Sequence, residues 1–233
     1  MNLKNKVVVI IGGSRGFGEQ LAKVFVAEGS RVIVASKTKS TIEAAAHAIG
    51  AAAFTVDVQN EADIRKLAKS VLEQFGSIDL WINSAGVFKV FSKVELIDMH
   101  RAHELFDINF FGTVFGSRTA LSCMEEKGGA IINILSSAAL DATRAKNAKL
   151  YAASKWAVRG YVEALRGENM NANIAIYSVY PGGMKTHLHD EALPVDFENF
   201  MDPHYVAKKV IDNLKQDTPE QDLIIKRPSV KNQ

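Results

Sequence analysis

Residues 6–12, KVVVIIG, form an unbroken β-branched and aliphatic run. A strand with one face in water alternates apolar and polar positions, so such a run fits a strand covered on both faces. Glycines follow, then EQLAKVFVAEG (19–29), with apolar positions at helical spacing and a stop at Gly29. This unit recurs. RVIVAS (31–36) reads as a second strand and STIEAAAHAIG (40–50) as a second helix; AAAFTVDV (51–58) and EADIRKLAKSVLEQFG (61–76) are the third pair. IDLWINSAG (78–86) is a fourth strand, and a long helix is predicted over 102–126. GGAIINILSS (128–137), a helix over 151–170 and NIAIYSVYPGG (173–183) continue the alternation, followed by a helix at 203–216 and an edge strand at QDLIIK (221–226). Strands alternating with helices of this length predict an α/β chain: a doubly wound, mostly parallel sheet of six to seven strands with helices on both faces.

A chain of 233 residues, 47% hydrophobic and 23% charged, has the composition of an ordinary globular protein with a sizeable core. One domain over 1–233 is expected, with a first half to about 126, a second half from about 127 and a lid at about 184–202. The net charge of +2 is too mild to argue for nucleic acid or a membrane surface, and no partner of either kind is expected. The first apolar run is too short to span a bilayer. The single cysteine, Cys123, precludes an intramolecular disulfide and reads as a small buried hydrophobe. A cytoplasmic location is expected.

The segment IGGSRGFG (11–18) joins the first strand to the first helix, with Gly12, Gly16 and Gly18 spaced G-x-x-x-G-x-G. Glycines there permit a tight turn and close approach of backbone to a pyrophosphate, beside the N–H groups and positive dipole end of a helix. Ser14, Arg15 and Phe17 belong to the same turn. An acidic residue ending the second strand would bond a ribose 2′-hydroxyl and repel a 2′-phosphate. Here Ser36 and Lys37 stand in that place, and Arg15 adds a second cation, a pattern that suits NADP(H). Asp57, ending the third strand beside Val58, is a candidate acceptor for the adenine amino group, or else a cap for the helix near 60. Asn83, Ala85 and Gly86, in NSAG, line the expected path of the ribose.

The motifs GGSRGFG, NSAG, NILSS, YAASK and YPGG, in that order over roughly residues 5 to 186, resemble the short-chain dehydrogenase/reductase family in its compact single-domain branch. The resemblance implies a Rossmann fold and interconversion of a ketone or aldehyde with an alcohol by hydride transfer. It implies that Tyr151 is the proton donor and that Lys155, one helical turn on, lowers its pKa and bonds the nicotinamide ribose. It assigns the substrate-holding serine to the SS pair, with Ser137 in the family register and Ser136 as the neighbour. Asn109, in FDINFFG, is implied as the residue whose backbone anchors a water feeding protons to Lys155. Pro181 and Gly182 shape the turn after the sixth strand, and Thr186 is matched to the nicotinamide amide. Ile11 and Ser84 depart from the family pattern without removing a catalytic group. The rival reading on the same fold is a non-catalytic NADP(H)-sensing regulator.

Segments 87–100, 138–149 and 184–202 are the expected substrate walls, and Met184, Leu188, Leu193, Phe197 and Phe200 favour a substrate with an apolar body. His187, His189, Asp190 and Glu191 carry metal-binding side chains, but the chemistry asks for no metal and none is expected. The resemblance implies a homodimer or homotetramer through helices 102–126 and 151–170.

Overall fold

The structure, a computed structural model, describes residues 1–91, 93–145, 147–168 and 173–227. Seven parallel strands form one sheet: β1 (Val7–Ile11), β2 (Arg31–Ser36), β3 (Ala52–Thr55), β4 (Leu80–Asn83), β5 (Gly129–Ile134), β6 (Ile174–Pro181) and β7 (Asp222–Ile225), in the order 3-2-1-4-5-6-7. The helices are α1 (Gly16–Ala27), α2 (Lys39–Ile49), α3 (Glu61–Phe75), α4 (Met99–Phe106), α5 (Gly112–Met124), α6 (Lys149–Glu168) and α7 (Pro203–Leu214).

The β1 run is apolar throughout because both of its faces are covered. Val8 and Ile10 pack with Leu21 and Phe25 of α1, Ile42 of α2 and Val206 and Val210 of α7. Val7, Val9 and Ile11 pack on the opposite face with Ile64, Leu67 and Val71 of α3 and Ala120 and Met124 of α5. Each such side chain, fully buried, contributes about 1.5–3 kcal/mol, so neither helix layer can be peeled away cheaply. A third cluster joins Val158 and Val162 of α6 to Ile176 and Tyr180 of β6. Among the described residues no helix is long and apolar enough to cross a membrane.

Strand order reverses at β1, which pairs with β2 on one side and β4 on the other. The crevice for a ligand in such a sheet lies at the carboxyl ends of these strands. One element departs from expectation. The helix predicted over 102–126 begins at Met99, where Asp98 caps it by accepting from the amides of His100 and Arg101, and is interrupted by a π-turn at Asp107–Phe111. Periodicity carries no sign of this insertion, which contains Asn109, whose tertiary contacts are described next.

Candidate active site

The turn after β1 is shaped by its glycines. Gly12 (φ +84°) and Gly16 (φ +61°) hold left-handed backbone. A Cβ at Gly12 would lie 2.6 Å from the Ala85 amide nitrogen, and one at Gly18 would run into the Gly12 carbonyl. The start of α1 is therefore drawn against the chain leaving β4. Arg15 is its exposed N-cap residue, Ser14 precedes it, and Phe17 turns inward to the core. Thr186, beyond β6, sits above the same turn, with its Cβ 3.4 Å from the position a Gly16 Cβ would take. Its hydroxyl accepts from the Leu188 amide. Pro181 ends β6, and the Gly182 amide donates to the Ile225 carbonyl at 2.9 Å, fixing the chain's exit.

At the next strand ends, the Ser36 hydroxyl oxygen and Gln59 Oε1 are buried without a hydrogen-bond partner among the described residues. Lys37 Nζ pairs with Asp57 Oδ2 at 2.7 Å, and that hydrogen bond, followed by the carboxylate's charge, raises the lysine's pKa. Asp57 does not cap α3; Asn60 does, accepting from the Ala62 amide at 3.0 Å. Val58 packs against Gly112 at the start of α5, 3.1 Å from where a Cβ would stand. A glycine cradle at a helix N-terminus, an unpartnered hydroxyl and two nearby cations fit a phosphate-bearing dinucleotide. Gln59 was not singled out from sequence, since one Gln in a loop carries no signal until its neighbours are known.

Asn83 ends β4 as expected, and its side chain turns into the core. Its side chain accepts from Trp81 Nε1 at 2.9 Å and donates to Ser117 Oγ at 3.1 Å and Asn133 Oδ1 at 2.8 Å. It is 5% exposed. The side-chain amide is occupied in tying β4 to α5 and β5. Gly86 lies farther along, between Asn109 Oδ1 and Lys155 Nζ.

Asn109 Oδ1 accepts from the Val87 amide at 2.8 Å, while its Nδ2 donates to the Val87 carbonyl at 3.0 Å and to Ser154 Oγ at 3.1 Å. The fully buried side chain thus ties the loop after β4 to α6. The π-turn supplies the extra residue that aims it inward. The Asn109 carbonyl accepts from Thr113 Oγ1 at 3.0 Å.

Tyr151 and Lys155 lie on the buried face of α6, 7% and 5% exposed. Lys155 Nζ donates to the Ile134 carbonyl at 3.0 Å and lies 5.9 Å from the Tyr151 ring centre. Ser136 accepts from the Ala138 amide at 3.1 Å, which leaves its own hydrogen for the Tyr151 phenol oxygen. Two expectations are corrected here. The serine on the phenol is Ser136; Ser137 opens the one-turn helix Ser137–Ala139 and does not partner the ring. In addition, Lys155 does not lower the Tyr151 pKa in this arrangement: burial raises it, and only the Ser136 hydrogen bond opposes that. The lysine has been pushed down to about 8 by its own burial. Without an anionic partner, desolvation dominates its titration.

Phe88 meets the Tyr151 ring edge-on at 4.9 Å. Segment 184–202 is tied down beside this region: His187 pairs with Asp190 at 3.3 Å, and Glu191 binds Lys89 and Arg101. Among the described residues no cluster of three or more His, Cys, Asp or Glu side chains is placed to hold a metal ion.

The sequence pattern of the short chain dehydrogenases matches residues 6–194. The chain is 29% identical over 218 residues to an uncharacterized oxidoreductase of Staphylococcus aureus, covering 92% of this chain and 93% of that one. It is 33% identical over 192 residues to trans-4-hydroxycyclohexanecarboxylate dehydrogenase of Sinomonas cyclohexanicum, covering 78% and 73%. Among solved structures, a 3-ketoacyl-(acyl-carrier-protein) reductase from Brucella melitensis complexed with NADH superposes with a TM-score of 0.88 at 24% identity, over 96% of this chain and 97% of that one. An alcohol dehydrogenase from Thermococcus sibiricus complexed with 5-hydroxy-NADP gives 0.83 at 24%, over 96% and 99%.

Proposed function

The chain belongs to the short-chain dehydrogenase family, and from that premise we propose that it is an NADPH-dependent oxidoreductase interconverting a ketone or aldehyde with the corresponding alcohol. The observation that carries this reading is the meeting of Ser136, Tyr151 and Lys155 at the carboxyl edge of the sheet, beside the turn of Gly12, Gly16 and Gly18. The nicotinamide cofactor supplies the hydride. Solved neighbours complexed with NADH and with 5-hydroxy-NADP support a nicotinamide dinucleotide as the class of ligand. The 2′-phosphorylated form is favoured by Ser36, Lys37 and Arg15 and by the lack of a carboxylate ending β2.

Tyr151 gives its phenolic proton to the carbonyl oxygen as charge develops there, and takes it back in the reverse direction. Ser136 donates a hydrogen bond toward the same oxygen. The Ala138 amide takes one of its lone pairs, and its hydrogen is left for the phenol and the space beside it. Lys155, titrating at about 8, exchanges its proton readily near neutrality and can pass one toward the phenolate left on Tyr151 after each reduction. Asn109 holds the loop of Val87 and Phe88 against α6, giving the substrate side a fixed wall. The rings of Phe88, Phe197 and Phe200 favour a substrate with an apolar body. Subunit association through α5 and α6 is part of the same reading, supported by the exposed rings of Phe111 and Trp156.

Purified protein mixed with NADPH and a broad panel of ketones and aldehydes tests the proposal. Steady oxidation of NADPH with at least one carbonyl, lost about 10²- to 10⁴-fold in Tyr151→Phe, is the expected result. Absence of turnover across the panel, with NADPH demonstrably bound, overturns it.

A further inference from the structure

The lid carries a polar group that the chemistry above does not use. His189, in the one-turn helix His187–His189, meets Phe88 edge-on with ring centres 4.8 Å apart, Phe200 at 5.3 Å and Phe197 at 6.2 Å. Phe88 is also the ring against Tyr151, at 4.9 Å. The imidazole therefore stands two ring contacts from the phenol, on the wall assigned to the substrate's apolar body.

Its ring is held by packing, with no side-chain hydrogen bond among the described residues. Next to Phe88, Lys89 pairs with Glu104 at 3.0 Å and with Glu191 at 3.5 Å, and Glu191 also binds Arg101. Phe88 with His189 and Lys89 with Glu191 thus join the same two segments, once by ring packing and once by charge. The Lys89 side chain is 13% exposed while its carboxylate partners reach solvent, so this ionic contact is partly shielded.

Held this way, His189 leaves Nδ1 buried and without a partner among the described residues. Two other buried side-chain atoms share that condition, on Ser36 and Gln59, both at the dinucleotide side. Protein interiors rarely leave such atoms unmet, and an unmet one is costly until a partner arrives. The residue as a whole is only partly buried. Turning the imidazole about Cβ–Cγ exchanges Nδ1 with Cδ2 and barely changes the outline packed against the phenyl rings. Burial lowers the His189 pKa against the weaker pull of Asp190 and Asp196, so the ring is neutral at neutral pH, with one donor and one acceptor.

We propose that His189 is a specificity-determining residue: its imidazole hydrogen-bonds an uncharged oxygen, hydroxyl or carbonyl, carried on the apolar body of the substrate away from the reacting carbonyl. A wall of three phenyl rings with one polar point is the composition of a site that binds by area and orients by a single bond. His187, exposed and paired with Asp190, offers no such point. The inference rests on the carbonyl-reductase reading of the site.

The test uses a matched pair, acetophenone and 4-hydroxyacetophenone, with the full-length protein and NADPH. In the native protein kcat/KM favours the hydroxylated ketone. His189→Phe keeps the ring contacts and removes the nitrogens, and is expected to cut that preference about tenfold, the value of one neutral hydrogen bond. His189→Asn, which returns an amide near the Nδ1 position, restores part of it and guards against misfolding of the Phe variant. An unchanged preference in folded His189→Phe overturns the proposal. If no variant turns over either ketone, the broad carbonyl panel decides the reductase reading separately. Calorimetric binding of the two ketones to the NADPH-loaded protein then decides the role of His189: a His189-dependent difference supports it, and equal binding overturns it.

Discussion

Lys37 and Asp57, at the ends of neighbouring strands β2 and β3, are joined by a 2.7 Å ion pair. From sequence the two belonged to opposite ends of an adenosine, the lysine to a 2′-phosphate and the aspartate to the adenine. In the structure Asp57 occupies the cation that a 2′-phosphate would use. Lys37→Glu is expected to weaken NADPH about 10- to 100-fold, the worth of one charge-assisted contact, and to leave NADH nearly unchanged. Asp57→Asn should shift the NADPH-to-NADH ratio toward NADPH. Fluorescence titration with both cofactors measures this; parallel shifts for the two would refute the assignment.

Ser136 and Ser137 are adjacent, and only the first meets the Tyr151 phenol. Ser136→Ala should therefore lower kcat/KM about 10²-fold, as loss of one oxyanion donor does. Ser137→Ala should stay within a few-fold of the native protein. Steady-state kinetics on both variants separates them, and equal losses would refute the distinction.

Lys155 is held at about 8 in the folded chain against an ordinary value of 10.5. Between those values the unfolded chain binds the extra proton, so stability rises with pH across that window and the burial penalty is fully present below it. Lys155→Met should stabilise the protein at pH 7 by an amount of order 3 kcal/mol, and the advantage should shrink from pH 8 toward 10.5. Denaturant melts of the two proteins at several pH values give the difference directly. Subtraction matters because Tyr151, its pKa raised, acts with the opposite sign above pH 10. A pH-independent difference would count against a depressed lysine.

Gly116 faces the amide of Asn83 at the centre of the Trp81–Asn83–Ser117–Asn133 network, and a Cβ there would overlap Asn83 Oδ1. Gly116→Ala should cost about 1–3 kcal/mol through overpacking and lower Tm by several degrees in a calorimetric scan. A neutral substitution would mean that the network tolerates displacement.

Trp156 and Phe111 expose 43% and 44% of their surfaces on the α5 and α6 side. Paired Phe111→Glu and Trp156→Glu substitutions should convert an oligomer to monomer in sedimentation, with the fold intact by circular dichroism. A native protein that sediments as a monomer would refute association through this face.

The sequence by itself determined the order of elements and the carboxyl-edge location of the candidate site. Short unbroken β-branched runs between turn glycines fit strands covered on both faces, and helical periodicity marks what covers them. It also marked Tyr151 and Lys155, because four residues along a helix return to the same face. Tertiary structure alone decided which serine meets the phenol, since one residue's step at a strand end reverses a side chain's direction. It decided that the Asn83 amide belongs to the core, that a π-turn aims Asn109, and that Lys37 and Asp57 share a charge. Each of these depends on a partner between 15 and 50 positions away in the chain, and local spacing does not encode where the sheet brings such partners together. The pKa order at the site was hidden for the same reason: burial outweighs the pairing that Tyr151 and Lys155 suggest in one dimension.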